Sequence, residues 1–421
     1  MKVAFELSEE ADLFIAFLLI TYTAEGGGTV EVHPNQPPSG TSTLNKMTMD
    51  SSTIDVRHSI VLPPHTVPLE KEALQVKFPR VIEAARKKGI NQILYGKGKS
   101  PIAFITAGAS YTYLEQALSE FGLSGQFPIL KLGMSYPVDP QAISEILKYS
   151  DNLVVVEEKR RFIESQVRNI VMDLHQAGTI KEMPKVWGKV FPDNLTGFPT
   201  DQGLSPVVVM RTLAPLLKKY DLSTPKVQKE IQFVESLGEF EVSIPARTPS
   251  FCPGCPHRDS SSVFLQLVSD FKNPEFMKKK YKREPLDILF HGDAGCYVLL
   301  FMPPNGPLMH NYIGMGLGGG TGAGLSPFST NKSVCFIGDS TFFHSGISEI
   351  SDSIKNNQDV LYVVLDNKTT AMTGHQTNPG MESDMMGNPT FGQDIEHVLQ
   401  GLTEGEDVSR SEERRVGKEC S

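Results

Sequence analysis

Two short apolar runs, residues 334–337 and 360–365, each end in residues that do not belong in a core: Gly338-Asp339-Ser340 after the first and Asp366-Asn367-Lys368-Thr369 after the second. Runs of this length bounded by turn residues read as buried strands. Between them Ile347, Ile350 and Ile354 recur at helical spacing, so the segment reads as strand, crossover helix and strand. Such a βαβ unit requires a parallel sheet, whose strands all deliver their carboxyl ends to one edge. Asp339 and Asn367, 28 residues apart, then stand on neighbouring strand tips at that edge.

A hard divalent cation carrying a diphosphate takes about half of its six or so oxygens from phosphate and water, and needs only a few from protein. The Asp339 carboxylate, the Asn367 amide oxygen and the Thr369 backbone carbonyl would supply them, while backbone N–H groups of the Gly338-Asp339-Ser340 approach would meet phosphate oxygens. The alternative is that Asp and Asn after strands are turn residues. Spacing alone leaves both open.

The segment resembles the thiamine diphosphate fingerprint, in which Gly-Asp-Gly opens roughly thirty residues closing on Asn; Ser340 replaces the second glycine. Within that superfamily, Gly338-Asp339-Ser340-Thr341-Phe342-Phe343-His344-Ser345-Gly346 and Asp366-Asn367-Lys368-Thr369-Thr370-Ala371-Met372-Thr373-Gly374-His375-Gln376 resemble the large (alpha) subunit family of indolepyruvate ferredoxin oxidoreductases. Phe251-Cys252-Pro253-Gly254-Cys255-Pro256-His257-Arg258 and Gly292-Asp293-Ala294-Gly295-Cys296-Tyr297 are similar to two more motifs of that subunit, in the same order. The resemblance implies thiamine diphosphate and magnesium as cofactors, an aryl 2-oxo acid as substrate, coenzyme A as co-substrate, ferredoxin as electron acceptor and a small (beta) subunit as partner.

A chain of 421 residues holds two or three domains. Its net charge of -9 argues against a nucleic-acid surface. The longest apolar run, residues 13–20, is too short to cross a membrane, and Glu6, Glu9 and Glu10 before it do not suit a signal peptide; it reads as a buried strand. Five cysteines do not make a disulfide framework, and Cys252-x-x-Cys255 points to metal or redox use in a reducing compartment, the cytoplasm.

Elements alternate from about residue 96: a strand at 102–106, a helix at 111–121, a strand at 129–132, a helix opened by Asp139 with Pro140 at its first position, and a strand at 153–156. Ile163, Val167, Ile170, Val171 and Leu174 then line one helix face. The fold class is α/β with parallel sheets. The resemblance casts residues 1–35 as a remnant of a pyrimidine-binding domain and 96–184 as a transketolase carboxyl-terminal-like domain. Residues 36–95 read as a linker, 185–248 as an interdomain connection, 249–408 as the diphosphate and magnesium domain, and 409–421, with Cys420, as a non-native tail.

Cys252, Cys255 and Cys296 have three readings: a [4Fe-4S] cluster one thiolate short of the usual four, a zinc site completed by His257, or plain structural cysteines. Cys335, inside a strand, reads as core. Gly316, Gly318, Gly319, Gly320, Gly322 and Gly324 would let a helix start close to the cofactor. The resemblance sets Gly295, Cys296, Met315 and Gly316 against that cofactor, with Met315 either propping it or packed in the core. It also turns Thr373 and His375 toward thiazolium or substrate; His257 and His344 are secondary candidates. The glutamate that activates thiamine lies, by the same resemblance, on the pyrimidine-binding domain. The mixed charge run Glu157-Glu158-Lys159-Arg160-Arg161 reads as a solvated face.

Overall fold

The computed structural model describes residues 1–24, 26–29, 50–53, 55, 61–96, 98–236, 248–306 and 308–403. Pro34, Pro37, Pro38 and Gly40 of the expected linker, and the tail 409–421, lie outside them. The chain divides into two compact units, Met1–Glu241 and Val242–Ser421. Among the described residues no helix is long and apolar enough to cross a membrane.

In the first unit, strands β1 (Gln92–Leu94), β2 (Ala103–Ala107), β3 (Ile129–Leu132), β4 (Asn152–Val156) and β5 (Lys185–Trp187) form one sheet in the order β1-β3-β2-β4-β5. All neighbours are parallel except β1, which runs antiparallel to β3 at the edge. The central strands are apolar at successive positions because helices cover both faces. Phe104, Ile129, Val154 and Val156 face one core and Ala103, Ile105, Leu130, Leu153 and Val155 the other.

The amino-terminal readings need correction. Helix α1 (Lys2–Ala11) precedes the apolar run, and residues 14–20 lie in no strand: Phe14, Phe17, Leu18, Leu19 and Ile20 are exposed. Apolar composition alone does not make a strand, which needs a neighbour for its ladder. Within the expected linker, α2 (Thr66–Glu72) continues through a π turn into α3 (Phe78–Lys87), which buries Val81, Ala84 and Ala85. β1 falls there too.

Helix α4 (Gly108–Glu120) covers the first face, and α5 (Pro140–Ile146) and α6 (Ile163–Gln176) cover the second. The Asp139 carboxylate caps α5 by accepting the Gln141 N–H at 2.9 Å. Residues 185–236 are not a mere connection. β5 extends the sheet, and α7 (Pro206–Lys219) and α8 (Pro225–Ser236) deliver Val209, Leu213, Leu216, Leu217, Val227 and Val234 to the first core. The Trp187 indole N–H donates to Tyr220 Oη (3.2 Å), whose hydroxyl donates to Asn152 Oδ1 (2.9 Å), fastening this segment to β4. Nor is the charge run wholly solvated: Glu157 is buried and accepts the N–H groups of Phe162, Ile163 and Glu164 at 2.7–3.1 Å, capping α6.

In the second unit, β6 (Ile288–Gly292), β7 (Asn311–Tyr312), β8 (Lys332–Gly338) and β9 (Val360–Leu365) make a wholly parallel sheet, order β7-β6-β8-β9. Helix α9 (Pro256–Lys272) presses Phe264 edge-on against Phe290 and Phe336, whose rings stack 5.8 Å apart. On the other face lie α11 (Gly318–Leu325), α12 (Ile347–Lys355) and α13 (Ile395–Thr403), with α10 (Pro274–Lys280) leading toward β6. The crossover helix carries Ile347, Ile350 and Ile354 as expected, preceded by a π turn at Phe342–Gly346.

The glycine stretch forms α11, and its close approach is to the sheet. A side chain at Gly318 would come within 2.8 Å of the Gly292 backbone, and one at Gly322 within 3.2 Å of His291. Glycine is required because the helix lies directly on β6.

Candidate cofactor site

Strand order places the site before any side chain is considered. From β6 the chain moves outward to β7, returns past β6 to lay down β8, then moves outward again to β9. The connections leaving β6 and β8 therefore diverge, opening a crevice at their carboxyl ends, the switch point where open parallel sheets hold ligands. Gly292-Asp293 forms one lip and Gly338-Asp339 the other. β8 and β9 end level, Gly338 opposite Leu365, so Asp366 and Asn367 flank Asp339.

Asp339 is only 3% exposed. Its Oδ1 accepts the Ser340 N–H at 2.7 Å and its Oδ2 accepts from Asn378 Nδ2 at 2.9 Å. Burial pushes the carboxyl above its usual range and neighbouring Asp366 adds to this, while the donors from Asn378 and Ser340 pull it back. Lys368 pairs with Asp366 at 2.7 Å rather than with Asp339. A buried carboxylate backed by a second one is stabilised most directly by a cation, so this lip fits a divalent metal. Asn367 Oδ1 accepts the Thr369 N–H at 3.3 Å, and the Thr369 carbonyl accepts the Ala371 N–H at 3.0 Å. Each oxygen retains a lone pair for a metal. Ser340 Oγ lies 2.8 Å from Thr370 Oγ1 and accepts from Asn378 Nδ2 at 3.1 Å.

Asn378 and Asp293 are residues of the crevice that sequence reasoning passed over. Asn378 sits in Asn-Pro-Gly, which reads as a turn. Asp293 belongs to a motif quoted above, yet an Asp after a strand is ordinarily a turn residue too. It is 1% exposed; its Oδ2 accepts the Gly316 N–H at 2.8 Å and its Oδ1 accepts from the buried Tyr297 hydroxyl. Burial pushes its carboxyl up to about 7, opposed by the Gly316 and Gly318 amides and reinforced by Glu349. Glu349 Oε2 in turn accepts the Gly319 N–H at 3.0 Å. Two carboxyl groups thus occupy amides at and before the start of α11.

Gly316 has φ of +72°, and a side chain there would land on Ser345 Oγ. Gly295 is extended, with no room beside the Tyr297 ring. Met315 is 40% exposed rather than packed in the core. Thr373 and His375 lie on the exposed loop after β9, where the Thr373 hydroxyl donates to Gln376 Oε1 at 2.6 Å and His375 adopts φ of +58°. His344 is exposed; His257 is buried, which lowers its pKa.

The three cysteines do not gather into one metal-binding group. Cys252 is exposed, Cys255 buried in the core with Phe251 and Tyr297, and Cys296 intermediate. Among the described residues no three His, Cys, Asp or Glu side chains are gathered to hold a metal, so these cysteines, with or without His257, do not fit a cluster or a zinc ion as placed. The C-x-x-C spacing is local, whereas the third thiolate depends on how the loop after β6 closes. Cys335 is a core residue whose thiol is pushed up by burial.

Residues 293–415 match the family model "Thiamine pyrophosphate enzyme, C-terminal TPP binding domain", and residues 92–239 match "Indolepyruvate oxidoreductase domain". Fold, crevice and match together define the second unit as a thiamine diphosphate-binding domain on a parallel α/β sheet. The chain is similar to "Indolepyruvate oxidoreductase subunit IorA" of Methanothermobacter marburgensis, 29% identical over 407 residues (95% of this chain, 57% of that protein), and of Methanothermobacter thermautotrophicus, 30% identical over 401 residues (95% and 57%). The Pyrococcus horikoshii protein of the same name is 31% identical over 305 residues, 68% of this chain and 41% of its own length. The chain thus spans little more than half the length of the curated relatives it matches most fully. It belongs to the indolepyruvate oxidoreductase alpha-subunit family.

Proposed function

We propose that this chain is part of a thiamine diphosphate-dependent oxidoreductase. The enzyme decarboxylates aryl pyruvates such as indolepyruvate, forms the arylacetyl-coenzyme A and passes two electrons to ferredoxin. The observation that carries the reading is the buried Asp339 carboxylate at the switch point, beside Asn367, in a domain matched by the thiamine-binding model. Asp339, Asn367 and the Thr369 carbonyl would hold magnesium, with Ser340 and Gly338 at the diphosphate. Thiamine diphosphate, when bound, supplies the nucleophilic carbon and the electron sink that decarboxylation of a 2-oxo acid needs.

The loop after β9, with Thr373 and His375, is the part of this chain best placed to meet the substrate, His375 as a proton carrier and Thr373 as a hydrogen-bond donor. Gly295, Cys296, Met315 and Gly316 belong to the opposite lip. One 2-oxo acid and one coenzyme A thiol yield acyl-coenzyme A, carbon dioxide, a proton and two electrons; no electron step is routed through Cys252, Cys255 or Cys296. The relatives are named as subunits, which supports a partner, the small (beta) subunit, and we place the complex in the cytoplasm.

The test is indolepyruvate-dependent, coenzyme A-dependent reduction of ferredoxin or viologen by the chain, extended to the length of its relatives and joined by the small subunit, under anaerobic conditions. Reduction that disappears on Asp339→Ala supports the proposal. Carbon dioxide release without reduction would instead assign a non-oxidative decarboxylase or carboligase. Cofactor binding with neither reaction would leave a non-catalytic, partner-binding subunit.

A further inference from the structure

We infer that Asp293 is a positioning residue of the cofactor crevice, tying the turn at Gly316 through Tyr297 to the loop that carries Asp339, so that the two lips are held in register. The inference rests on the thiamine diphosphate reading above. Asp293, Tyr297 and Thr341 are each no more than 2% exposed, and they come from two segments, the first two from the turn after β6 and the third from the turn after β8. Asp293 Oδ2 accepts the Gly316 N–H at 2.8 Å, and Asp293 Oδ1 accepts from the Tyr297 hydroxyl. That hydroxyl lies 3.5 Å from Thr341 Oγ1, two residues beyond Asp339.

Around this line the packing leaves no slack. A side chain at Gly316 would strike Ser345, one at Gly295 would strike the Tyr297 ring, and one at Gly338 would approach that ring to 3.1 Å. The Tyr297 ring therefore fills the floor between the lips, and its hydroxyl is the link across. An apolar residue at 293 would fill the space without a desolvated acid. What it could not do is hold the Gly316 amide in its left-handed turn.

Substitution separates this role from a general structural one. Asp293→Ala removes the acceptor of both hydrogen bonds. Asp293→Asn keeps them, its carbonyl oxygen toward Gly316 and its amide N–H toward Tyr297 Oη. Tyr297→Phe cuts the line at its second link. Titration calorimetry of the 421-residue chain with magnesium would compare thiamine diphosphate, which needs both lips, with inorganic pyrophosphate, which needs only the Asp339 lip.

The expected result is a loss of about tenfold or more in thiamine diphosphate affinity for Asp293→Ala and Tyr297→Phe, with pyrophosphate affinity kept within about twofold and Asp293→Asn near wild type. Unchanged thiamine diphosphate binding, or equal loss of both ligands with unaltered near-ultraviolet circular dichroism, would overturn the inference. If Asp293→Ala does not fold, Tyr297→Phe decides between the same outcomes. A wild-type chain that binds neither ligand would refute the cofactor reading, and this inference with it.

Discussion

Replacing Asp293 by Asn should flatten the dependence of stability on pH in the second unit. Burial raises the Asp293 carboxyl from 3.8 to about 7, so the folded state binds its proton more tightly than the unfolded chain does. Between those values the native protein holds a proton that the unfolded chain has released. Stability is therefore fully present below about pH 4 and is lost as pH rises toward 7. The interval is about 3 units at 1.36 kcal/mol each, a ceiling of about 4 kcal/mol. In a unit of this size that corresponds to roughly 10 °C in Tm. Glu349 and Asp339, raised by burial as well, add slopes of the same sign, and His257 and His291, lowered by burial, oppose them in both wild type and variant. Asn carries no proton, so the variant loses only the Asp293 share, and its stability relative to wild type should rise between about pH 4 and pH 7. The assay is urea unfolding at several pH values followed by near-ultraviolet circular dichroism of tyrosines. The chain's only tryptophan, Trp187, lies in the first unit and reports on that unit instead. Parallel pH profiles for wild type and Asp293→Asn would refute the reasoning, because the proton would then not reside on this carboxyl.

Other perturbations test other parts of the molecule. Asp339→Ala should reduce magnesium-dependent binding of thiamine diphosphate by about a hundredfold, since a charged, desolvated ligand is lost; calorimetry with and without a chelator checks this, and a residual metal-dependent affinity equal to wild type would count against the metal assignment. Gly316→Ala places a side chain on Ser345 at a positive φ and should cost about 2–3 kcal/mol in unfolding free energy. The double change with Ser345→Gly should recover the steric part and leave the backbone part. Glu164 is fully buried, takes Arg168 at 2.8 Å and Arg161 at 3.2 Å, and accepts the Lys189 N–H at 3.0 Å. Because Arg161 and Arg168 are about half exposed and can return to water, Glu164→Ala should destabilise the first unit by about 2–3 kcal/mol, mostly through the orphaned Lys189 amide and the lost charge-assisted bonds, seen as an earlier Trp187 fluorescence transition.

What could be read in advance divides along the line between local and non-local information. The strand at 129–132 was legible because a parallel strand covered on both faces is a short continuous apolar run, the edge strand at 360–365 because its apolar run is bounded by turn residues, and the helix at Pro140–Ile146 because Asp139 and Pro140 carry its cap and first turn. Composition alone misled at 14–20, where an apolar run has no neighbour to pair with, and at 185–187, where three residues form a strand only because β4 lies beside them. The place of the helices at 206–219 and 225–236 on the first core follows from the sheet they pack on, which nothing local announces. The glycine stretch shows the same limit: small residues signal a close approach without saying to what, and the partner is the backbone of β6. At the site, Asp339 and Asn367 could be paired from sequence because β8 and β9 are consecutive and joined by one helix. Asp293 could not be added to them, since nothing local says that β6 lies beside β8 rather than beside β7 alone. Residue type and spacing identify which side chains stand at strand ends; strand order decides which two ends share a crevice, and therefore which carboxyl groups act on one ligand.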